Sequence, residues 1–203
     1  MALWGAGGLK EARWVSILGP ECLMDVACNF ANPNQCFAWA RAAFPGPGPL
    51  TLLKMSEDHT QLIYGAGDVP QGTAHVHLGY RSLADACISH WPPVPVELER
   101  AIDLTEERLM LATPPLRDAT VVTNGDIIRR LLAGSVSEPP QMVSMTTEEV
   151  EQEFQRLASV SLGRPMGHAG AVANRYDAAA LLLLRELMHH WGVAGIVLPA
   201  VHL

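Results

Sequence analysis

The apolar positions are densest near the end of the chain. Residues 178–184 are unbroken Ala and Leu, within a longer stretch that opens at Asn174. A helix with so wide an apolar surface is covered on most of its circumference. Asp177 in its first turn and His189 and His190 in its last suit the helix dipole, and Gly192 is the expected stop. Residues 195–201 then read as a short, apolar interior strand. A core helix feeding a core strand marks an α/β protein.

Earlier in the chain the pattern changes repeatedly. Residues 33–44 predict a helix capped by Asn32, with Pro33 at its first position. P-G-P-G-P at 45–49 stops that helix. It marks the expected boundary between a small helical N-terminal appendage, residues 1–49, and an α/β domain, residues 50–203. Residues 50–55 and 61–65 predict two strands joined as a hairpin by S-E-D-H-T, and residues 73–78 predict a third. Residues 83–90 read as the start of a helix, which Pro92, Pro93 and Pro95 interrupt before helical periodicity resumes over 96–111. Residues 119–123 predict a strand, N-G-D a tight turn and 127–133 a helix. Residues 134–145 read as a polar, proline-containing loop. Thr146, with Glu149 three residues on, makes a capping box for a further helix ending near Ser159. From residue 50 the order is β-β-β-α-β-α-α-α-β, which predicts a mixed sheet with helices packed on it.

Composition narrows the function. The chain is 49% hydrophobic and 17% charged, with a net charge of -7. It contains no basic run, so nucleic acid is not an expected partner, because phosphate neutralisation needs clustered Lys and Arg. The four cysteines, Cys22, Cys28, Cys36 and Cys87, show no C-x-x-C spacing. They read as reduced structural thiols of a cytoplasmic protein. There is no convincing signal peptide, and the longest apolar run is far short of a membrane span.

Several residues are candidates for chemistry. His75 and His77 form an H-x-H, which on a strand puts both rings on one face, as in many metal sites. A third ligand is then required from His59, Asp58 or Glu57; the alternative is a solvent-facing strand side. Glu57, Asp58 and His59 are also candidate acid–base groups, or a solvated hairpin tip. Thr123, Asn124 and Gly125, followed by Asp126, lie between a strand end and a helix start. Such a turn presents helix N–H groups to a phosphate, unless Asn124 or Asp126 caps the helix itself. His168, in a G-H-A-G loop, is a candidate at the edge of a phosphate site; His189 and His190 read as dipole-compatible helix-end residues. No G-x-S-x-G, Walker A or H-E-x-x-H pattern is present.

These residues also carry a family resemblance. K-M-S-E-D-H-T-Q-L-I-Y-G at 54–65 fits, without a gap, the frame of a D-I-G-G-G-S-T-E phosphate loop and the strand that follows it. H-V-H-L-G at 75–79 resembles S-L-P-L-G. V-V-T-N-G-D-I-I-R-R-L-L at 121–132 resembles a strand, a G-T-G-G-T turn and a helix. M-T-T-E-E-V-E-Q-E-F-Q-R-L-A-S-V-S at 145–161 resembles L-S-x-E-x-L-E-x-L-x-x-x-L-A-x-L-S. Residues 167–184 resemble P-G-L-x-P-x-R-A-D-V-I-L-A-G, and residues 26–41 more weakly resemble A-T-S-A-x-R-E-A-x-N-x-x-x-F. In this order the segments resemble the exopolyphosphatase and guanosine pentaphosphate phosphohydrolase (Ppx/GppA) family, mainly its second domain.

The resemblance implies a ribonuclease-H-like, actin-type ATPase domain. It also implies a changed chemistry. A phosphate loop needs glycines so that successive N–H groups can face the anion. Here Lys54 stands at the metal-binding aspartate position, and Ser56, Glu57, Asp58 and His59 replace the glycines and serine. The family's D-x-G-S-N-S strand and I-S-G-E-E-E-A segment have no counterpart along these residues. The expected protein is a diverged, shortened relative that has lost phosphoanhydride hydrolysis and serves as a binding or assembly module. Its half-cleft is expected to be completed in a homo-oligomer or by a partner protein, around a phosphate-containing ligand. The alternative is a small metal-dependent phosphohydrolase that uses the histidines and carboxylates above, with magnesium or zinc.

Overall fold

A computed structural model of the chain describes residues 32–114, 116–133, 142–165 and 172–199. Within them, β1 Leu50–Met55, β2 Thr60–Gly65, β3 Gly72–Val76, β4 Thr120–Thr123, β5 Met142–Thr146 and β6 Gly195–Pro199 form one sheet. Its spatial order is β3-β2-β1-β4-β6-β5. The meander β1-β2-β3 is antiparallel, β1 pairs in parallel with β4 and β4 with β6, and β5 adds antiparallel to β6.

The strand period of two divides the sheet's side chains between two cores. Leu53, Leu62 and Ala74 share one rung and face one layer; Leu52 and Ile63 on the next rung face the other, together with Val122. The first face carries α2 Tyr80–Cys87, α3 Pro95–Met110, α4 Asp126–Ala133, α5 Thr147–Ser161 and α6 Arg175–Trp191. The second carries α1 Pro33–Ala43, whose Cys36, Phe37 and Ala40 are buried against Leu50, Leu52, Ile63 and Val122. The P-G-P-G-P connection does not carry α1 away from the sheet. Arg41 of α1 donates to the Gly46 and Gly48 carbonyls at 3.0 and 3.1 Å, folding the turn back on the helix.

Helix α6 is the centre of the helical layer. It packs against α2, α3, α4 and α5, and its buried positions include every residue from 178 to 184. Asn174 caps it by accepting from the N–H groups of Tyr176 and Asp177, and Gly192 ends it in the left-handed region at φ 63. No described helix is long and apolar enough to cross a membrane.

Two expectations are corrected. The helix read over residues 83–90 starts at Tyr80, because Gly79 caps it and the β1–β2 tip supplies acceptors for its first N–H groups. Part of the loop read over 134–145 is the edge strand β5, from Met142 onward. Val143 and Met145 there turn inward while Met142, Ser144 and Thr146 stay exposed. Residues 1–31, with Cys22 and Cys28, lie outside the described residues, as does the strand expected beyond Pro199.

The proline-rich joint before α3 is held by one carboxylate. Glu97 is 5% exposed. It accepts from the Ser89 N–H and hydroxyl at 2.8 and 2.6 Å, the His90 ring at 2.8 Å, the His90 N–H at 3.3 Å and the Val94 N–H at 3.0 Å. Burial pushes its pKa up, but donation from Ser89, His90 and Val94 outweighs this and holds it at about 2. A depressed carboxyl pKa gives stability that is complete above the unfolded value and is lost as pH falls from about 4.5 towards 2. Glu97→Gln is therefore expected to cost about 1–3 kcal/mol at neutral pH. It should also flatten the fall in melting temperature on acidification. Glu151, held at about 2 against burial by Arg185, Gln155 and His189, retains its own part of that acid limb. An unchanged acid limb in the variant would refute the role of Glu97.

Candidate functional site

The candidate residues gather mainly at one end of the sheet, beyond the carboxyl ends of β1 and β4. Ligands of open α/β sheets bind at that end. Residues 56–59 form the tip between β1 and β2, closed by a hydrogen bond from the Ser56 N–H to the His59 carbonyl at 2.9 Å. The turn after β4 lies beside it, with an ideal Cβ on Gly125 falling 3.8 Å from the Met55 carbonyl oxygen.

The tip is docked on the N-terminus of α2. The Tyr80 N–H donates to the Ser56 carbonyl at 3.2 Å, and the Arg81 and Ser82 N–H groups donate to the Glu57 carbonyl at 3.0 and 3.1 Å. The Arg81 guanidinium also donates to the Glu57 carboxylate at 2.9 Å. Gly79 permits this approach, since a Cβ there would lie 2.3 Å from the Glu57 carbonyl oxygen. The Thr60 hydroxyl ties the start of β2 to the Leu78 carbonyl at 2.9 Å.

The N-terminus of α6 comes to the same edge. Asp177 is 3% exposed and accepts from Arg130 of α4 at 3.2 Å, from the Ala173 N–H at 3.2 Å and from the Asn174 amide at 2.7 Å. Arg175 donates to Asp85 at 2.6 Å, and Arg81 and Arg175 both lie over the Tyr176 ring, at 5.5 and 4.7 Å. Arg81, Arg130 and Arg175 therefore each have a carboxylate partner within the chain. Burial, then Glu57, pushes the Tyr80 hydroxyl pKa up, so that hydroxyl is no ready base.

Of the residues singled out in the sequence, Glu57, Asp58 and His59 are exposed at the tip. Thr123 is fully buried, Asn124 is 7% exposed, and Gly125 is half-buried between them and α4. His75 and His77 are exposed. His75 stands opposite Gln61 on the rung next to the tip, on the sheet face that carries α1. Among the described residues no group of three or more His, Cys, Asp and Glu side chains is placed to hold a metal ion, so no step through a metal is derived. His168 lies outside the described residues. His189 is bonded to Glu151 at 3.3 Å, far along α6 from this edge.

Sequence reasoning missed Gly79, Arg81 and Arg130, and it read Asp177 only as a helix-dipole residue. The signal for Gly79 was a glycine directly before a helix with serine at its third position. The pairing of Arg130 with Asp177 spans 47 residues and left no local signal.

No protein-family model and no curated protein matches the sequence. Solved structures do match. The type II variant of the Aquifex aeolicus Ppx/GppA phosphatase is 14% identical, with a TM-score of 0.68 over 83% of this chain and 58% of that one. An exopolyphosphatase from Cytophaga hutchinsonii is 12% identical, with a TM-score of 0.61 over 83% of this chain and 58% of that one. The chain has the Ppx/GppA fold. This is an actin-like, ribonuclease-H-like mixed sheet flanked by helices, so the resemblance read from the sequence holds at the level of fold. The chain spans under two thirds of those Ppx/GppA chains, 58% in both cases.

Proposed function

We propose that this is a Ppx/GppA-like protein without phosphoanhydride hydrolysis, acting as a binding or assembly module for a phosphate-containing ligand. The observation that carries the reading is the docked tip. At the place where the family frame puts a glycine-rich loop, Ser56 and Glu57 turn carbonyl oxygens toward the first three N–H groups of α2. Those donors would otherwise face an anion. The nearest guanidinium, Arg81, is taken by Glu57. A polyphosphate chain brought here meets carbonyls and the carboxylates of Glu57 and Asp58, which repel it. In the same reading a second copy or a partner protein completes the ligand-binding face.

The rival is a metal-dependent phosphohydrolase using Glu57, Asp58, His59, His75 and His77. The spread of those side chains over the tip and the neighbouring strand favours the binding module.

The test is phosphate release from polyphosphate, guanosine pentaphosphate and ATP, with magnesium and with zinc. No release above a buffer control is expected with any pairing. Turnover that disappears in Asp58→Ala or His75→Ala would overturn the reading and restore the hydrolase.

A further inference from the structure

The segment between α2 and α3 is pinned at both ends. Arg175, at the start of α6, donates to the Ile88 carbonyl at 3.0 Å. Glu97, in the first turn of α3, gathers the N–H groups of Ser89, His90 and Val94 and the Ser89 hydroxyl. His90 thus stands on a fixed stretch of backbone, although its side chain is 66% exposed.

The His90 ring joins the same carboxylate, with Nδ1 2.8 Å from Glu97 Oε1. This bond sets the tautomer. Glu97 is ionised at neutral pH, and an ionised carboxylate only accepts. Nδ1 therefore carries the hydrogen, and the neutral ring keeps its lone pair on Nε2. The Ser89 hydroxyl donates to Oε1 at 2.6 Å, so its hydrogen is not offered to the ring. Nε2 has no partner among the described residues. The other described histidines lack this arrangement. His189 turns Nε2, not Nδ1, to Glu151, and His59, His75, His77 and His190 form no ion pair among the described residues.

A carboxylate behind an imidazole is the outer half of many metal sites. Among the described residues, however, no group of three or more His, Cys, Asp and Glu side chains is placed to hold a metal ion. The remaining chemistry is nucleophilic. An exposed lone pair is held in place, with a negative charge at Nδ1 to stabilise the ring as it becomes positive.

We propose that His90 is a phosphoryl-acceptor histidine, modified at Nε2 by a small phosphoryl donor of the phosphoramidate or acyl phosphate class, with Glu97 as its positioning residue. No acid among the described residues adjoins Nε2 to protonate a departing group, so the donor must carry one that leaves unaided. Both classes do. The Nε2 lone pair forms the N–P bond as the donor's P–N or P–O bond breaks, and ammonia or a carboxylate leaves with the bonding pair. Nδ1 keeps its proton toward Glu97, so the product is a phosphoimidazolium paired with the carboxylate, and that proton is then released to solvent.

The experiment incubates the full chain with phosphoramidate at neutral pH. Mass spectrometry locates the acid-labile adduct, and phosphorus NMR tells the Nε2 product from the Nδ1 product. His90 is expected to be labelled first and at Nε2, about tenfold or more faster than His59, His75 and His77. This comparison lies within the parent chain and needs no variant. In Glu97→Gln the rate at His90 should fall to that of the other exposed histidines, and the product should divide between the two ring nitrogens. Ser89→Ala, which leaves the bond from Nδ1 to Glu97 in place, should keep the Nε2 product. Acetyl phosphate in a parallel incubation separates the donors: labelling by both reagents assigns acyl phosphates, labelling by phosphoramidate alone assigns phosphoramidates. Four results overturn the proposal: no label from either reagent, equal rates at His90 and the other exposed histidines, label on Nδ1 of His90, or an unchanged rate and Nε2 preference in Glu97→Gln. The readout is an adduct on the protein, so it stands or falls apart from phosphate release.

Discussion

Leu182→Ala is expected to destabilise the protein by about 2–5 kcal/mol, the usual range for opening a cavity at a leucine that cannot be filled by collapse. The side chain is fully buried, on the helix that four other helices pack against. Relaxation into the space would have to move several elements at once. In a chain of this length the loss appears as a fall in melting temperature on the order of 10 °C. Leu162→Ala is the control. That leucine is 74% exposed at the end of α5, and its removal should stay within about 0.5 kcal/mol. Equal effects at the two positions would show that α6 is not the centre of the core.

The same helix explains why the fold was readable. Residues 178–184 leave no polar side for solvent, so the sequence itself demands covering layers. Gly192 and the Thr146–Glu149 box mark helix ends locally, and the structure places both where the pattern put them; the cap by Asn174 is added by the structure. Strands β1, β2 and β3 were visible from their turns. Strand β5 was not, because half of its side chains are exposed and its five residues carry a methionine, a serine and a threonine on the outer side. Such an edge strand owes its existence to pairing with β6, a contact between residues about fifty apart.

The site was legible in its parts more than in its connections. The pattern located the tip and the T-N-G-D turn, but not that they adjoin. Self-capping by Asn124 or Asp126 was an equally local reading of the turn. Neither bond is present among the described residues, where Thr123 ends β4 fully buried and Asn124 follows it at 7% exposure. The partners of Arg81, Arg130 and Arg175 lie 24, 47 and 90 residues away. No period or spacing in the sequence encodes such ion pairs, and they decide how much positive charge is left for a ligand.

Gly79→Ala is the second large effect, and it acts on the docked tip. The backbone of Gly79 is extended, at φ -122 and ψ 174, which any residue adopts, so the cost is steric. The added Cβ would lie 2.3 Å from the Glu57 carbonyl oxygen and 2.4 Å from that of Ser56. Both are backbone atoms that no side-chain rotation can remove. The tip has to withdraw, and the N–H groups of Tyr80, Arg81 and Ser82 lose their acceptors. A cost of about 1–3 kcal/mol is expected from overpacking. Faster amide hydrogen exchange should be confined to the start of α2, while α4 and α6 keep the parent's protection. Parent-like stability together with parent-like exchange at those three amides would mean that the tip does not depend on Gly79. The predicted outcome makes one glycine responsible for a reversal of polarity. A glycine-rich phosphate loop turns N–H groups toward its ligand, whereas this tip turns carbonyls toward a helix, and close packing at Gly79 holds it in that sense.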